Sequence, residues 1–201
     1  MGNTFRPRGL SRVRMGLLVT IIAAGIGAAA WSKGVGFTSR IHGSNAEAWA
    51  MRAARTWATP VSIRDVQNPV TPSAEVIAAA RAHWADHCAM CHANDGGGET
   101  SLGRNVYPPA PDMREARTQG MSDGALFYVI ENGVPWTAMP AWGNGTDEGA
   151  RESWALVRFI RHLPAITPEE IATMEPLNPK SAAQVERDKG IDDFLNGPSG
   201  R

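Results

Sequence analysis

Both cysteines of the chain lie in one short segment, Cys88-Ala89-Met90-Cys91-His92. On a helix, residues three and four positions apart share a face, so the two thiols and the imidazole point to the same side. The Cys-x-x-Cys-His order is the attachment motif of a c-type haem, in which the thiols add to the two vinyl groups and the imidazole reaches the iron. The segment therefore predicts one covalently bound haem c, held by Cys88 and Cys91 and ligated by His92.

Other sites use the same residue types but fit this segment less well. A zinc site needs further ligands that converge with these three. A thioredoxin-type dithiol needs a βαβ pattern, and the sequence predicts no strand. A disulfide between Cys88 and Cys91 would leave His92 without a role. Two cysteines are also too few for a disulfide scaffold or a four-thiolate cluster, so haem attachment is the favoured interpretation.

The second axial ligand of the iron decides what the haem can do. A thioether or a second imidazole gives a six-coordinate iron suited to electron transfer, whereas an open position lets small molecules bind and react. Met139 is the leading candidate because it lies in an irregular loop that Pro140 stiffens. Met113 and Met121 remain as alternatives. Of the other histidines, His83 and His87 lie on the cysteine helix, His42 lies in a linker and His162 lies at a helix end.

Helices must bring these groups together. Thr71-Pro72 predicts the N-cap and first residue of the cysteine helix. Core-type residues recur every four positions on one face of that helix: Val76, Ala80, Trp84 and Cys88. This face would carry the first cysteine to the core. Further helices are predicted over 122–131 and, with Thr146 as N-cap, over 147–162. Two long loops, 93–112 and 134–145, connect them, and loops of this length in a compact domain usually carry function.

The amino-terminal segment 1–31 predicts a cytoplasmic basic end followed by a transmembrane anchor. Arg6, Arg8, Arg12 and Arg14 precede an uncharged run, residues 15–31. This run would be roughly 25 Å long as a helix, the short end of what spans a bilayer. A cleaved signal peptide is the alternative, since Ala28 and Ala30 have the spacing of a cleavage site. Either way, the charge bias places residues 32–201 on the outer, periplasmic side of the cytoplasmic membrane.

Two further segments flank the predicted haem domain. Residues 32–70 are expected to be a linker with a short amphipathic helix, 46–58, whose Trp49, Ala53 and Trp57 share one face. That face either packs on the domain or rests in the membrane interface. Residues 164–201 predict two short helices laid against the domain. The first begins with a capping box at Thr167, and the second runs from Asn178-Pro179 to about Lys189, with Gly190 as its cap. Phe194 and Leu195 are expected to form an apolar latch.

Three motifs, in order, resemble the small monohaem class I cytochrome c family. They are the Cys-x-x-Cys-His segment, the loop Tyr107-Pro108-Pro109-Ala110-Pro111-Asp112, and the run from Asn132 to Trp142. The resemblance covers residues 71–163. It implies an all-α fold wrapped round one haem, in which the first and last helices, 72 to about 91 and 147–162, cross at an angle.

The resemblance also implies roles for individual residues. Cys88 and Cys91 would form thioethers, with His92 as the proximal ligand and Met139 as the distal ligand. In the family, the carbonyl of a loop proline accepts the proximal imidazole N–H, and Pro109 or Pro108 is the candidate here. The glycine that usually follows the attachment histidine is Ala93 in this chain. Two further residues of the motifs are predicted to contact the cofactor: Tyr107 and Trp136. Four tryptophans are expected to keep water from the iron: Trp84, Trp136, Trp142 and Trp154.

The predicted function is a membrane-tethered single-electron carrier and not an enzyme. The chain has 20 Lys and Arg against 20 Asp and Glu, which argues against binding nucleic acid along its length. Residues 1–70 carry 9 basic and 2 acidic side chains, residues 71–163 carry 7 and 11, and residues 164–201 carry 4 and 7. The expected partners are redox proteins at the membrane, such as oxidases and dehydrogenases of a respiratory chain. The alternatives are a small haem peroxidase or reductase, a fixed cytochrome subunit of a membrane complex, and a gas or redox sensor.

Overall fold

The structure, a computed structural model, describes residues 8–36, 38–40 and 43–197. It consists of two compact units, which divide between Thr38 and Ser39. The described residues form helices and contain no strand, which confirms the predicted all-α fold. The eleven α-helices of this part of the chain are α1 Arg8–Val35, α2 Asn45–Ala58, α3 Val61–Arg64, α4 Ala74–His83, α5 Ala89–His92, α6 Ser101–Asn105, α7 Ala116–Gln119, α8 Asp123–Asn132, α9 Asp147–His162, α10 Pro168–Met174 and α11 Ala182–Asn196.

Helix α1 forms the amino-terminal unit. Its stretch Val13–Gly34 has 22 residues with a mean hydropathy of 1.9, and none of the stretch is buried inside the protein. By length and composition it is able to cross a membrane as an anchor, and a signal sequence has the same properties. The helix is longer than the predicted run of residues 15–31. Two residues named above lie outside the described part of the chain: Arg6 and His42.

The cysteine helix begins later than predicted and contains an irregular turn. Ser73, not Thr71, is the N-cap, because the extended Ser73 backbone lets its hydroxyl accept the Val76 N–H at 3.2 Å. After α4 the helix continues through a π turn, Trp84–Cys88, in which the Ala89 N–H donates to the Trp84 carbonyl. The extra residue in this turn changes the helical register. Trp84 and Ala89 are therefore buried, and Cys88 is half-buried.

Helices α4 and α9 pack together at the centre of the larger unit. The Trp84 ring meets Phe159 edge to face at 5.5 Å, and Phe159 and Val157 are fully buried. On the other side of α9, Phe127 of α8 stacks on Trp154 with 4.2 Å between ring centres. Such aromatic pairs add to the stabilisation that burial of apolar area provides. These contacts hold the cysteine helix in a fixed position.

The end of the predicted linker packs on the same unit. The side chain of Asn68 donates to the Trp154 carbonyl at 2.9 Å, and the Arg158 guanidinium donates to the Val70 carbonyl at 2.9 Å. Ile63 of α3 also packs against the apolar core. Residues 61–70 therefore belong structurally to the helical domain.

The first helix of the carboxyl-terminal extension is docked as predicted. Thr167 and Glu170 form the expected capping box, with Pro168 at the first helical position. Met174, at the end of α10, is fully buried. The Asn178 side chain then donates to the Ala85 carbonyl on the π turn at 2.8 Å. The extension therefore braces the helix that carries the cysteines.

The second helix of the extension differs from the prediction. It begins after Ser181, which forms a capping box with Gln184, because Asn178 is engaged by the domain and does not cap a helix. It also passes through Gly190 and reaches Asn196. Phe194 and Leu195 are 87% and 70% exposed, so the expected apolar latch on the domain is wrong.

Candidate functional site

The two cysteines lie half-buried at the end of the π turn and in α5, and neither forms a disulfide. Burial raises the pKa of Cys88 to about 12, with a smaller contribution from Cys91. Burial also raises the pKa of Cys91. Both thiols are therefore protonated at neutral pH, whereas a dithiol that exchanges disulfides needs a lowered pKa. This environment argues against the thioredoxin-type alternative.

The imidazole of His92 is buried and keeps a ring nitrogen without a partner. Only 8% of the residue is exposed, and its Nδ1 atom has no hydrogen-bond partner of full geometry. Burial lowers the pKa of His92 to about 4, partly opposed by the backbone of Pro111. The ring is therefore neutral, which is the form that binds a metal. A buried neutral imidazole on the same short segment as two thiols fits the donor set of a c-type haem.

The proline that faces His92 is not the one predicted. The resemblance suggested Pro109 or Pro108, but the structure places the backbone of Pro111 against the ring. The register is set by two hydrogen bonds of the loop, from Ala110 N to Gly103 O at 2.9 Å and from Met113 N to Gly96 O at 2.8 Å. Pro111 lies between these two anchors. Pro109 is half-buried, and its contact with the cofactor stays a prediction.

The loop after His92 folds back onto the cysteine helix. The Gly98 N–H donates to the His92 carbonyl at 2.9 Å, and the Thr100 hydroxyl donates to the Met90 carbonyl at 2.8 Å. Gly98 is required here because a Cβ atom would lie 2.5 Å from the Ala110 carbonyl oxygen. The carboxyl end of the cysteine helix is thus closed by its own loop, with Pro111 beside the imidazole.

Met139 lies in a compact turn that follows α8. The Val134 N–H donates to the Met139 carbonyl at 3.1 Å, and the Met139 N–H donates to the Thr137 hydroxyl at 3.1 Å. The Met139 residue is half-buried. Farther along the same loop, Trp142 meets His87, next to Cys88, edge to face at 5.4 Å. The structure therefore brings the Met139 loop to the cysteine helix, and ligation by Met139 stays a prediction.

The two alternative methionines are used elsewhere in the domain. Met113 and Met121 both pack against the apolar core. The Met121 sulfur also accepts a hydrogen bond from Arg55 at 3.8 Å. Because both side chains are used in packing, Met139 is favoured over both as the candidate distal ligand.

Two of the four tryptophans named above are buried in the protein, and two are exposed. Trp84 and Trp154 are buried, whereas Trp142 is 39% and Trp136 is 89% exposed. Trp136 follows Pro135 in a turn closed by the Thr137 N–H and the Val134 carbonyl, and its φ is +59°. This turn directs the Trp136 side chain away from the apolar core, and its contact with the cofactor stays a prediction.

Tyr107 is directed to another helix. Its hydroxyl donates a short hydrogen bond to Glu47 of α2, and this bond raises the pKa of Tyr107. This bond is a contact between the proline loop and α2, and the contact of Tyr107 with the cofactor stays a prediction. Sequence patterns gave no signal for this pair, because the two residues are 60 positions apart.

Among the described residues, no group of three or more His, Cys, Asp and Glu side chains is arranged to hold a metal ion. The zinc alternative therefore gains no support from that part of the chain. The remaining arrangement is the one that the motif predicts, with two thiols, one imidazole and a methionine loop that reaches the same helix.

Comparison with known families agrees with this arrangement. Residues 75–160 match the family model described as cytochrome C oxidase, cbb3-type, subunit III. The matched region runs from α4 into α9 and includes the two cysteines, His92 and Met139. No curated protein matches the chain. This part of the chain is a monohaem c-type cytochrome domain, as the resemblance to class I cytochromes c predicted.

Proposed function

We propose that this protein is a membrane-tethered carrier of single electrons, with one haem c held by His92 and Met139. The observation that carries the proposal is the buried, neutral imidazole of His92 on the same short segment as the half-buried thiols of Cys88 and Cys91. These groups lie in a domain of a type suited to electron transfer.

In this proposal each residue holds or orients the site. Thioethers at Cys88 and Cys91 fix the cofactor, and Pro111 faces the imidazole of His92. Trp84 contacts the same imidazole at 5.7 Å between ring centres and donates to the Ala93 carbonyl at 2.9 Å. When bound, the haem supplies a one-electron iron couple, and a thioether ligand gives it a higher potential than a second imidazole would.

The optical spectrum and potential of the Met139→Ala variant test the ligand assignment. The oxidised wild type should show the weak iron–sulfur charge-transfer band at the red edge of the spectrum, and the variant should lose it. The midpoint potential of the variant should fall, because the thioether favours the reduced iron. Met113→Ala is the matched control and should keep the band. A high-spin wild-type spectrum, or a band that persists in Met139→Ala, would refute this ligation.

The tether rests on α1, whose stretch Val13–Gly34 is long and apolar enough to span a bilayer. Tethering replaces free diffusion with a high effective concentration near partners in the same membrane. Intact-mass measurement of the protein from the membrane fraction tests this point. The mass should include residues 15–31, whereas a mature chain that starts near Trp31 would show that α1 is a cleaved signal.

A fixed subunit of an oxidase is the second candidate, favoured by the description of the matched family. Gentle solubilisation of native membranes, followed by native electrophoresis, separates the two. A fixed subunit should migrate entirely with oxygen-reducing activity, whereas a mobile carrier should migrate alone.

A haem enzyme has weaker support. Residues 134–145, the loop that holds Met139, contain no charged side chain and no histidine. The loop thus offers no acid or base that could assist cleavage of an O–O bond.

A further inference from the structure

Helix α2 presents its tryptophans to the outside and its arginines to the protein. Trp49 is 68% exposed and Trp57 is 88% exposed, whereas Arg55, on the opposite face, and Arg52, at the edge between the two faces, are half-buried. No residue of α2 is fully buried. A helix that packs on a soluble domain normally turns its apolar face inward. The orientation of α2 is therefore the reverse of the usual one.

Polar contacts at both ends fix this orientation. Near the amino end, Glu47 accepts the hydrogen bond from Tyr107. Near the carboxyl end, Arg55 donates to the sulfur of Met121 at 3.8 Å. The buried Thr59 directly after the helix donates its hydroxyl hydrogen to the Arg55 carbonyl at 2.9 Å. The outward direction of the tryptophans follows from these contacts.

The outer face of α2 is uncharged. Exposed alanines accompany the two tryptophans on this side of the helix: Ala46, Ala50 and Ala53. A continuous apolar face of this kind marks an interaction surface, because leaving it in water costs free energy in proportion to its area.

The position of α2 in the chain indicates what covers this face. Asn45, its first residue, follows Gly34, the end of the apolar stretch of α1, by 11 positions (45 minus 34). A chain of that length reaches about 36 to 40 Å at full extension, so α2 stays close to any membrane that α1 crosses. Tryptophan is enriched at the boundary between lipid headgroups and acyl chains, where its ring is apolar and its N–H stays hydrated.

We infer that α2 lies on the membrane surface, with Trp49 and Trp57 inserted at the boundary between headgroups and acyl chains. This inference rests on the proposed membrane tether and adds a second, peripheral attachment. Because Glu47 of α2 binds Tyr107, the loop that contains Pro111 is tied to the attached helix. The cytochrome domain would then meet the membrane in one orientation, instead of swinging on a free linker.

Spin labels on the full-length haem protein test the inference. Three exposed alanines are replaced one at a time by cysteine, since the native thiols are consumed by the haem: Ala53 on α2, Ala183 on α11 and Ala23 in α1. Each variant is labelled and reconstituted in vesicles of phosphatidylcholine and phosphatidylglycerol. Collisions with oxygen, which concentrates in lipid, are compared with collisions with a water-soluble nickel complex.

The label at position 53 should collide more with oxygen and several-fold less with nickel than the label at 183. Replacing both Trp49 and Trp57 by serine should bring position 53 to the values of position 183. If position 23 lies in lipid but position 53 matches 183 from the start, the inference is wrong while the tether stands. If position 23 also lies in water, the tether itself fails. If position 53 is shielded only in native membranes, a partner protein covers the face, which also overturns the inference.

Discussion

At the scale of single residues, Ala93, next to the site, has a strained backbone conformation. Its φ of +60° and ψ of 163° belong to a backbone region that only glycine adopts easily. The conformation is held from outside, because the Ala93 carbonyl accepts the Trp84 indole N–H and the Ala93 N–H donates to Ala89. The departure from the glycine of related cytochromes therefore carries a cost in folding free energy.

Replacing Ala93 by glycine should stabilise the protein. Relief of the backbone strain is worth about 1 to 3 kcal/mol, and the greater freedom of glycine in the unfolded chain offsets about 0.4 to 1 kcal/mol of this. We expect a net gain of about 1 kcal/mol in the free energy of unfolding, measured with urea on the haem-loaded protein. Ala138→Gly, in an exposed loop at ordinary φ, is the control and should lose stability. An unchanged or lower value for Ala93→Gly would contradict the strain argument.

At the scale of elements, Glu170 joins α10 to the centre of the domain. Its carboxylate contacts Arg81 of α4 at 2.8 Å and His162 of α9 at 2.9 Å. Burial acts to raise the pKa of Glu170, but hydrogen bonds from His162 and Thr167 and the nearby charges outweigh it, so the pKa is lowered. A carboxylate whose pKa is lowered on folding stabilises the protein above its unfolded pKa and loses that contribution as the pH falls through its folded pKa.

The Glu170→Gln variant should therefore be less stable than the wild type at pH 7. This difference should begin to shrink near the ordinary glutamate value of 4.5 and vanish below the folded pKa. Unfolding free energies measured from pH 7 to pH 3 check the prediction. Glu169→Gln, an exposed neighbour, is the control and should show no such pH-dependent difference. A Glu170→Gln difference that is constant over the whole range would show that the carboxylate charge does not matter.

The start of a helix was predicted correctly from the sequence where the segment offers only one good N-cap residue. Thr146 and Thr167 were predicted as N-caps, and both serve as caps. Where two caps compete, the choice depends on distant contacts: Ser73 replaces Thr71, and α11 begins after Ser181 because Asn178 is bound to Ala85. The haem motif was recognisable because its chemistry lies within five consecutive residues. Pro111 was not, since the loop register comes from hydrogen bonds to the distant glycines 96 and 103.

At the scale of the whole molecule, the zero net charge conceals a separation of charge along the chain. Residues 1–70 have an excess of seven positive charges (9 minus 2), and residues 71–201 have the opposite excess (11 basic and 18 acidic, summed over the two segments). The part that would carry the haem is thus acidic. Opposite charge attracts an encountering partner over a distance that salt shortens, from about 30 Å at 0.01 M to about 8 Å at 0.15 M.

This charge predicts how the reduced protein reacts with small oxidants. Oxidation by the tris(phenanthroline)cobalt(III) cation should slow as ionic strength rises, whereas oxidation by ferricyanide should become faster, because salt screens attraction in the first case and repulsion in the second. Stopped-flow kinetics of the haem absorbance measure both rates. Asp86 is exposed and lies two positions before Cys88 in the sequence. Its carboxylate is 3.3 Å from the ring of His87. Asp86→Asn should therefore weaken the salt dependence with the cation more than Glu186→Gln on α11 does. Rates that respond to salt in the same direction with both oxidants would show that the acidic surface does not govern access to the haem.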